Sequence, residues 1–259
     1  MPQPALLEKH GDVATIVLNR PEHANAIDPD STRALIQCID AVAAEPSARV
    51  VVLRATGRMF CAGGSIDFFA KGGADFPAVL DELLGPLHAA LHKLATLPVP
   101  VISAVNGPVV GGGIGLALCA DIALAAESMK LRGGYSAIGL TPDACSSWFL
   151  TRRVGPMRAK QIFFTNDSLS AQQCLAMGIV SEVVPDAELA ARTTALAEAL
   201  ARGATGALGR IKQLVDGAHE RSLEAQLDLE HRLMVESAAS AEAREGIAAF
   251  LSKRVPRFS

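Results

Sequence analysis

Between residues 13 and 153, short unbroken apolar runs alternate with stretches whose apolar residues recur every three or four positions. Val13–Leu18 reads as a strand closed by the Asn19-Arg20-Pro21 turn, and a helix capped by Asp30 or Ser31 follows to about Val42. Val50–Leu53 is a second, wholly apolar strand. A Gly/Ser/Asp-rich segment leads to Pro77–Leu97, where Leu80, Leu83, Leu84, Leu87, Leu91 and Leu94 fall on one helical face, with a kink expected at Gly85-Pro86. The pattern then predicts a strand at Val99–Val105, a helix from Gly112 to Cys119, strands at Ile122–Ala125 and Ile138–Leu140, and a helix from Asp143 to Arg153. Such alternation implies an α/β fold with mostly parallel pairing. Beyond Pro185 the texture changes to Ala/Leu/Glu/Arg-rich helices broken at Gly203–Gly206 and Gly217. An amphipathic tail of this kind packs on its own core or offers a face to a neighbouring subunit.

Leu94–Ala120 carries no charge, which superficially resembles a membrane span. Pro98, Pro100, Asn106, Pro108 and a triple glycine interrupt it, whereas a span needs about 20 continuous apolar residues. A buried strand followed by a buried helix is the expectation. With 259 residues, half of them apolar, the chain has enough material for one large core or two smaller ones. The net charge of −3, without a long Lys/Arg run, disfavours a nucleic-acid surface and leaves a small molecule as the default ligand. Cys38, Cys61, Cys119, Cys145 and Cys174 have neither disulfide-framework nor zinc-site spacing, so a reducing, cytoplasmic setting is expected. The N-terminal residues lack the basic start and apolar stretch of a secretory signal.

Two glycine-rich turns, Arg58–Asp67 and Val109–Gly115, each follow an apolar run. Glycine allows close approach of the main chain, so the pair could aim two N–H groups at one developing oxyanion, the requirement of carbonyl or thioester chemistry. Tight turns without chemistry are the bland alternative. A dinucleotide loop fails on spacing, because the glycine it needs at 116 is Leu116, and no Gly-Lys-Ser/Thr run forms a phosphate loop.

Leu18–Ala26, Phe60-Cys-Ala-Gly-Gly64, Pro100–Gly107, Ala120-Asp-Ile122, Ile138–Asp143 and Arg244–Lys253, in that order, resemble the crotonase (enoyl-CoA hydratase/isomerase) superfamily nearly end to end. The closest motif likeness is to aspartate-dependent isomerases of the phenylacetate-degradation type. The resemblance implies an α/β fold: a spiral of strand-strand-helix turns over residues 1–200, then a helical oligomerisation region over 201–259. It also implies acyl-CoA substrates, trimers or hexamers, and no cofactor or metal beyond the coenzyme A of the substrate.

By the same resemblance, the oxyanion donors are the amides of Gly64 and Gly112. The two glutamates of the hydratases fall at Gly115 and Tyr135, neither of which is a carboxylate, so two-glutamate hydration is in doubt. Asp143 falls where aspartate-dependent isomerases have their acid/base, although a helix N-cap after Pro142 is the bland reading. Phe60, Phe68, Ile138, Leu140 and Trp148 could wall its pocket. His88 resembles the histidine of superfamily dehalogenases, in which an aspartate at position 143 would attack carbon; a helix-edge residue is the alternative. Main-chain contacts to coenzyme A fall at Ala24, Ala26, Ala62, Ser65 and Ile66, with Arg20 or Lys253 of an adjoining subunit attracting phosphate. Enolate-based isomerisation is the favoured activity, with hydration, hydrolytic dehalogenation and a non-catalytic RNA-binding homologue as alternatives.

Overall fold

The computed structural model describes residues 3–258. Met1 and Pro2, part of the segment without a leader pattern, lie outside the described residues, as does Ser259.

Ala5–His10 (β1) folds back through Gly11, at φ 58°, onto Val13–Leu18 (β2) as an antiparallel pair. Parallel neighbours follow: Val50–Ala55 (β3), Val101–Val105 (β4), Ile122–Ala126 (β6) and Glu182–Val184 (β9). A smaller sheet holds Val109–Val110 (β5), Lys130–Arg132 (β7) and Leu169–Ser170 (β8). β4 then β5, and β6 then β7, each lay one strand in the large sheet and one in the small sheet before a helix. These turns follow the strand-strand-helix spiral that the family resemblance implies.

Both faces of the large sheet are covered, which is why its strands read as continuous apolar runs. The two-residue period sends Val51 and Leu53 to one side and Val50 and Val52 to the other. On the first side they meet Leu35 and Ile39 of Pro29–Ala43 (α1) and Leu87, Leu91 and Leu94 of Phe76–Ala95 (α3). On the second they meet Leu189, Ala197 and Ala201 of Leu189–Ala201 (α7). The remaining helices before the tail are Ile66–Gly72 (α2), Gly112–Leu118 (α4), Ser146–Thr165 (α5) and Ala171–Ala176 (α6). Thr205–Asp216 (α8), Leu223–Ala238 (α9) and Ala241–Leu251 (α10) complete the helical tail. They leave Ile211, Val215, Leu227, Met234, Ile247 and Phe250 exposed. The uncharged 94–120 stretch forms β4, β5 and the wholly buried α4. Among the described residues no helix is long and apolar enough to cross a membrane.

The structure corrects several local expectations. Asp28, not Asp30 or Ser31, caps α1, because its carboxylate accepts the Ser31 amide while the Ser31 hydroxyl accepts the Asp28 amide. Helix α3 runs unbroken through Pro86. The Ile138–Leu140 strand does not form: Ser136–Ile138 is a single 3-10 turn, closed when the amides of Ile138 and Leu140 both donate to the Tyr135 carbonyl. None of those three residues pairs with a strand, and a short apolar run alone cannot specify one. Helix α5 starts at Ser146 and breaks at Gly155 (φ 77°, ψ 163°), so its first half ends where the sequence suggested.

Candidate active site

Four ribbons from distant parts of the chain are stitched together by main-chain hydrogen bonds. The amide of Ala62 donates to the Ala24 carbonyl at 3.0 Å, that of Ile27 to Gly63 at 2.7 Å, and that of Ser65 to Ile27 at 2.8 Å. On the far side Val110 donates to Cys61 at 3.0 Å, and Gly111 to Gly133 at 3.1 Å. Asn25, buried and at φ 51°, locks the first ribbon: its amide group donates to the carbonyls of Thr56 and Met59, and its Oδ1 accepts the Arg20 amide. Glycine at 63 is a steric requirement, since a Cβ there would lie 2.7 Å from the Val110 carbonyl and 3.2 Å from the Gly112 nitrogen. Gly64 and Gly112 therefore sit on adjacent ribbons, at the wall of one cavity. Among the described residues neither amide has a hydrogen-bond acceptor.

That cavity has a volume of about 490 Å³. Asp143, Tyr135 and His88 line it together with both glycines, so the five candidate catalytic residues converge on one space. Asp143 is the sole carboxylate among the described lining residues. The buried Tyr135 hydroxyl donates to Asp143 Oδ1 at 2.6 Å and lies 2.8 Å from the Ser146 hydroxyl, itself 2.6 Å from the Asp143 carbonyl. Burial and the adjacent Asp143 carboxylate push the Tyr135 phenol well above its ordinary range. It is thus a fixed neutral donor that holds one carboxylate oxygen.

The turn after Asp143 aims this carboxylate. Ala144 and Cys145 both adopt the left-handed region, at φ 47° and 62°, a conformation that costs non-glycine residues energy and needs support from its surroundings. The Ser146 amide donates back to the Asp143 carbonyl at 2.8 Å, and the Ala144 amide donates to His88 Nε2 at 3.1 Å. Asp143 does not cap α5 with its side chain; Cys145 occupies the cap position, without a side-chain bond. Directly opposite, an added Cβ at Gly115 would fall 1.5 Å from the Ala144 carbonyl oxygen. The turn occupies the space a side chain at 115 would need.

The pocket walls differ in part from the sequence reading. Ile138 and Leu140 line the cavity, whereas Phe60 is fully buried in the core, and Phe68 and Trp148 line other hollows. Trp148 instead stacks under the Arg152 guanidinium, 3.9 Å from its ring centroid. Phe69 takes the place of these aromatics: its ring occupies the space next to Gly64 that a Cβ would enter, and it packs against Phe76. Helical spacing gave no reason to choose Phe69 over Phe68, and Ser146 lay hidden in an unremarkable Cys-Ser-Ser run.

Of the proposed coenzyme A contacts, Ala62 and the 57% exposed Ile66 line the cavity, and Ser65 caps α2 through its hydroxyl. The amides of Ala24, Ala26, Ala62 and Ser65 are all committed to carbonyls of this chain. Arg20 pairs with Asp28, and the exposed Lys253 lies outside the cavity, beyond the end of α10.

The family model described as enoyl-CoA hydratase/isomerase matches residues 8–259. The chain is 38% identical to a Rhodobacter capsulatus protein named "Probable enoyl-CoA hydratase", over 95% of this chain and 94% of that one. It is also 38% identical to the 1,2-epoxyphenylacetyl-CoA isomerase of Escherichia coli, over 95% of each. An enoyl-CoA hydratase from Polaromonas superposes with a TM-score of 0.93 at 32% identity, covering 98% of this chain and 99% of that one.

Proposed function

The chain belongs to the enoyl-CoA hydratase/isomerase family, and from that premise we propose that it isomerises the double bond of an enoyl-CoA with Asp143 as the single acid/base. In this reading the thioester carbonyl oxygen lies between the amides of Gly64 and Gly112, both without another acceptor among the described residues. Asp143 takes a proton from the carbon next to the thioester, the electron pair delocalises onto the held oxygen, and the same proton returns two carbons away. Atoms and charge balance without any group beyond the substrate. Fixed donors at the oxyanion stabilise the enolate more than the starting thioester, which is what lowers the barrier.

The observation that carries this reading is that one carboxylate, held by a neutral phenol, lines the cavity, while a second is sterically shut out at position 115. Water addition by two glutamates needs both. The carbonyls of Ala24, Ala26 and Ala62 would accept hydrogen bonds from coenzyme A, and the exposed apolar side chains of α8–α10 would meet partner subunits in a trimer. The test is to incubate the protein with 3-enoyl-CoA and trans-2-enoyl-CoA of several lengths. Conversion between the two, abolished in D143N with binding retained, supports the proposal. Water addition to the trans-2 substrate without migration of the double bond would replace it with a hydratase reading.

A further inference from the structure

We propose that His88 is a positioning residue: through the Ala144 amide it holds the left-handed Ala144-Cys145 turn, and the turn in turn holds Asp143 in register with the cavity. The inference rests on Asp143 being the acid/base. It assigns His88 a role distinct from proton transfer.

Ala144 is completely buried, and its amide has one hydrogen-bond acceptor among the described residues, His88 Nε2 at 3.1 Å. Without that acceptor a buried N–H would be left unsatisfied in a turn that is already strained. His88 projects from the middle of α3, a 20-residue helix packed into the core through Leu87 and Leu91, so the anchor is rigid. The opposite side of the turn is fixed too, because the Ala144 carbonyl sits in the space left open at Gly115. Asp143 immediately precedes the anchored amide. A loosened turn therefore displaces the carboxylate relative to Gly112, whose Cα already lies against Asp143 Oδ1 closely enough that a Cβ would stand 3.3 Å away.

The bond imposes a protonation requirement. An imidazole accepts at Nε2 only when that nitrogen carries no proton, so neutral His88 holds its hydrogen on Nδ1. The imidazolium has no acceptor and would turn an N–H toward the Ala144 N–H. The titratable and charged groups that share the cavity with His88 are Asp143, Tyr135 and Arg132 from the 130–146 segment. Helices α1 and α2 pack against α3 but contribute no charged side chain to the described lining. Cys145 follows the anchored amide, and His92 stands one turn further along the helix.

The experiment compares H88A and H88Q with the parent protein in double-bond migration, reading kcat, KM and the pH profile, alongside hydrogen exchange of the 140–150 segment. Glutamine presents an oxygen near the Nε2 position that accepts the same bond but neither titrates nor transfers protons. A turn displaced by an ångström costs up to about a hundredfold in rate, so kcat of H88A should fall by about tenfold or more with KM little changed. H88Q should recover most of kcat and keep the slow exchange that H88A loses. Unchanged kcat and exchange in H88A would overturn the proposal. So would H88Q that protects the turn yet stays as slow as H88A, since the imidazole would then be moving a proton itself. If D143N were active, the reading of Asp143 would fail, while the exchange comparison would still report whether His88 anchors the turn.

Discussion

Replacing Gly115 by alanine sets two effects of opposite sign against each other. Gly115 lies in the middle of α4, where alanine should stabilise a free helix by about 1 kcal/mol. Here the new methyl would lie 1.5 Å from the Ala144 carbonyl oxygen, 2.7 Å from its carbon and 3.2 Å from the Ser146 nitrogen, all main-chain atoms. Restoring an ordinary C···O contact of about 3.3 Å requires the turn or the helix to move by roughly 1.8 Å. Overpacking a tight core costs about 1–3 kcal/mol and more when the backbone must yield, so a net loss of about 3 kcal/mol is expected. For a chain of this size that lowers the melting temperature by about 6–12 °C. Asp143 would shift with the turn, and kcat for double-bond migration should drop by about a hundredfold. Calorimetry and steady-state kinetics on G115A test both. A higher melting temperature with unchanged kcat would refute the claim that the turn fills this space and sets the carboxylate.

Tyr135→Phe removes the phenol that burial and Asp143 hold protonated. A group whose folded pKa is raised contributes stability below its unfolded value and loses it as pH rises past about 10, so denaturant titrations of Y135F should show a smaller alkaline decline than those of the parent. Asn25→Ala deletes three hydrogen bonds of a buried side chain and should cost about 2–4 kcal/mol in denaturant unfolding. All five cysteines are free, and burial pushes Cys61, Cys119 and Cys174 up to about 12, so these three should resist a thiol reagent at mildly alkaline pH until the protein is unfolded. Rapid labelling of Cys61 in the folded state would contradict its burial beneath the Gly63–Gly64 turn.

Most of the sheet was legible because buried parallel strands leave unbroken apolar runs, as at Val50–Leu53. The two glycine-rich turns stood out in the linear chain, and it was the likeness to the enoyl-CoA hydratase/isomerase family that singled out Gly64, Gly112 and Asp143. What escaped was whatever depends on two segments meeting. The Tyr135–Asp143 bond, the His88–Ala144 bond and the choice of Phe69 over Phe68 are tertiary contacts without a local pattern. The missing Ile138–Leu140 strand has the same origin, for a strand needs an edge to join and the residues themselves do not record whether one is near.

Because the four stitched ribbons are tied mainly through peptide groups, the placement of the paired amides owes little to which side chains border the cavity. Acidic residues, aromatics or aliphatics bordering the hollow can be exchanged while the stitching stays intact, wherever the bare positions at 63 and 115 are respected. Redesign of this protein can accordingly treat the peptide frame as fixed hardware and the side chains around the cavity as interchangeable fittings.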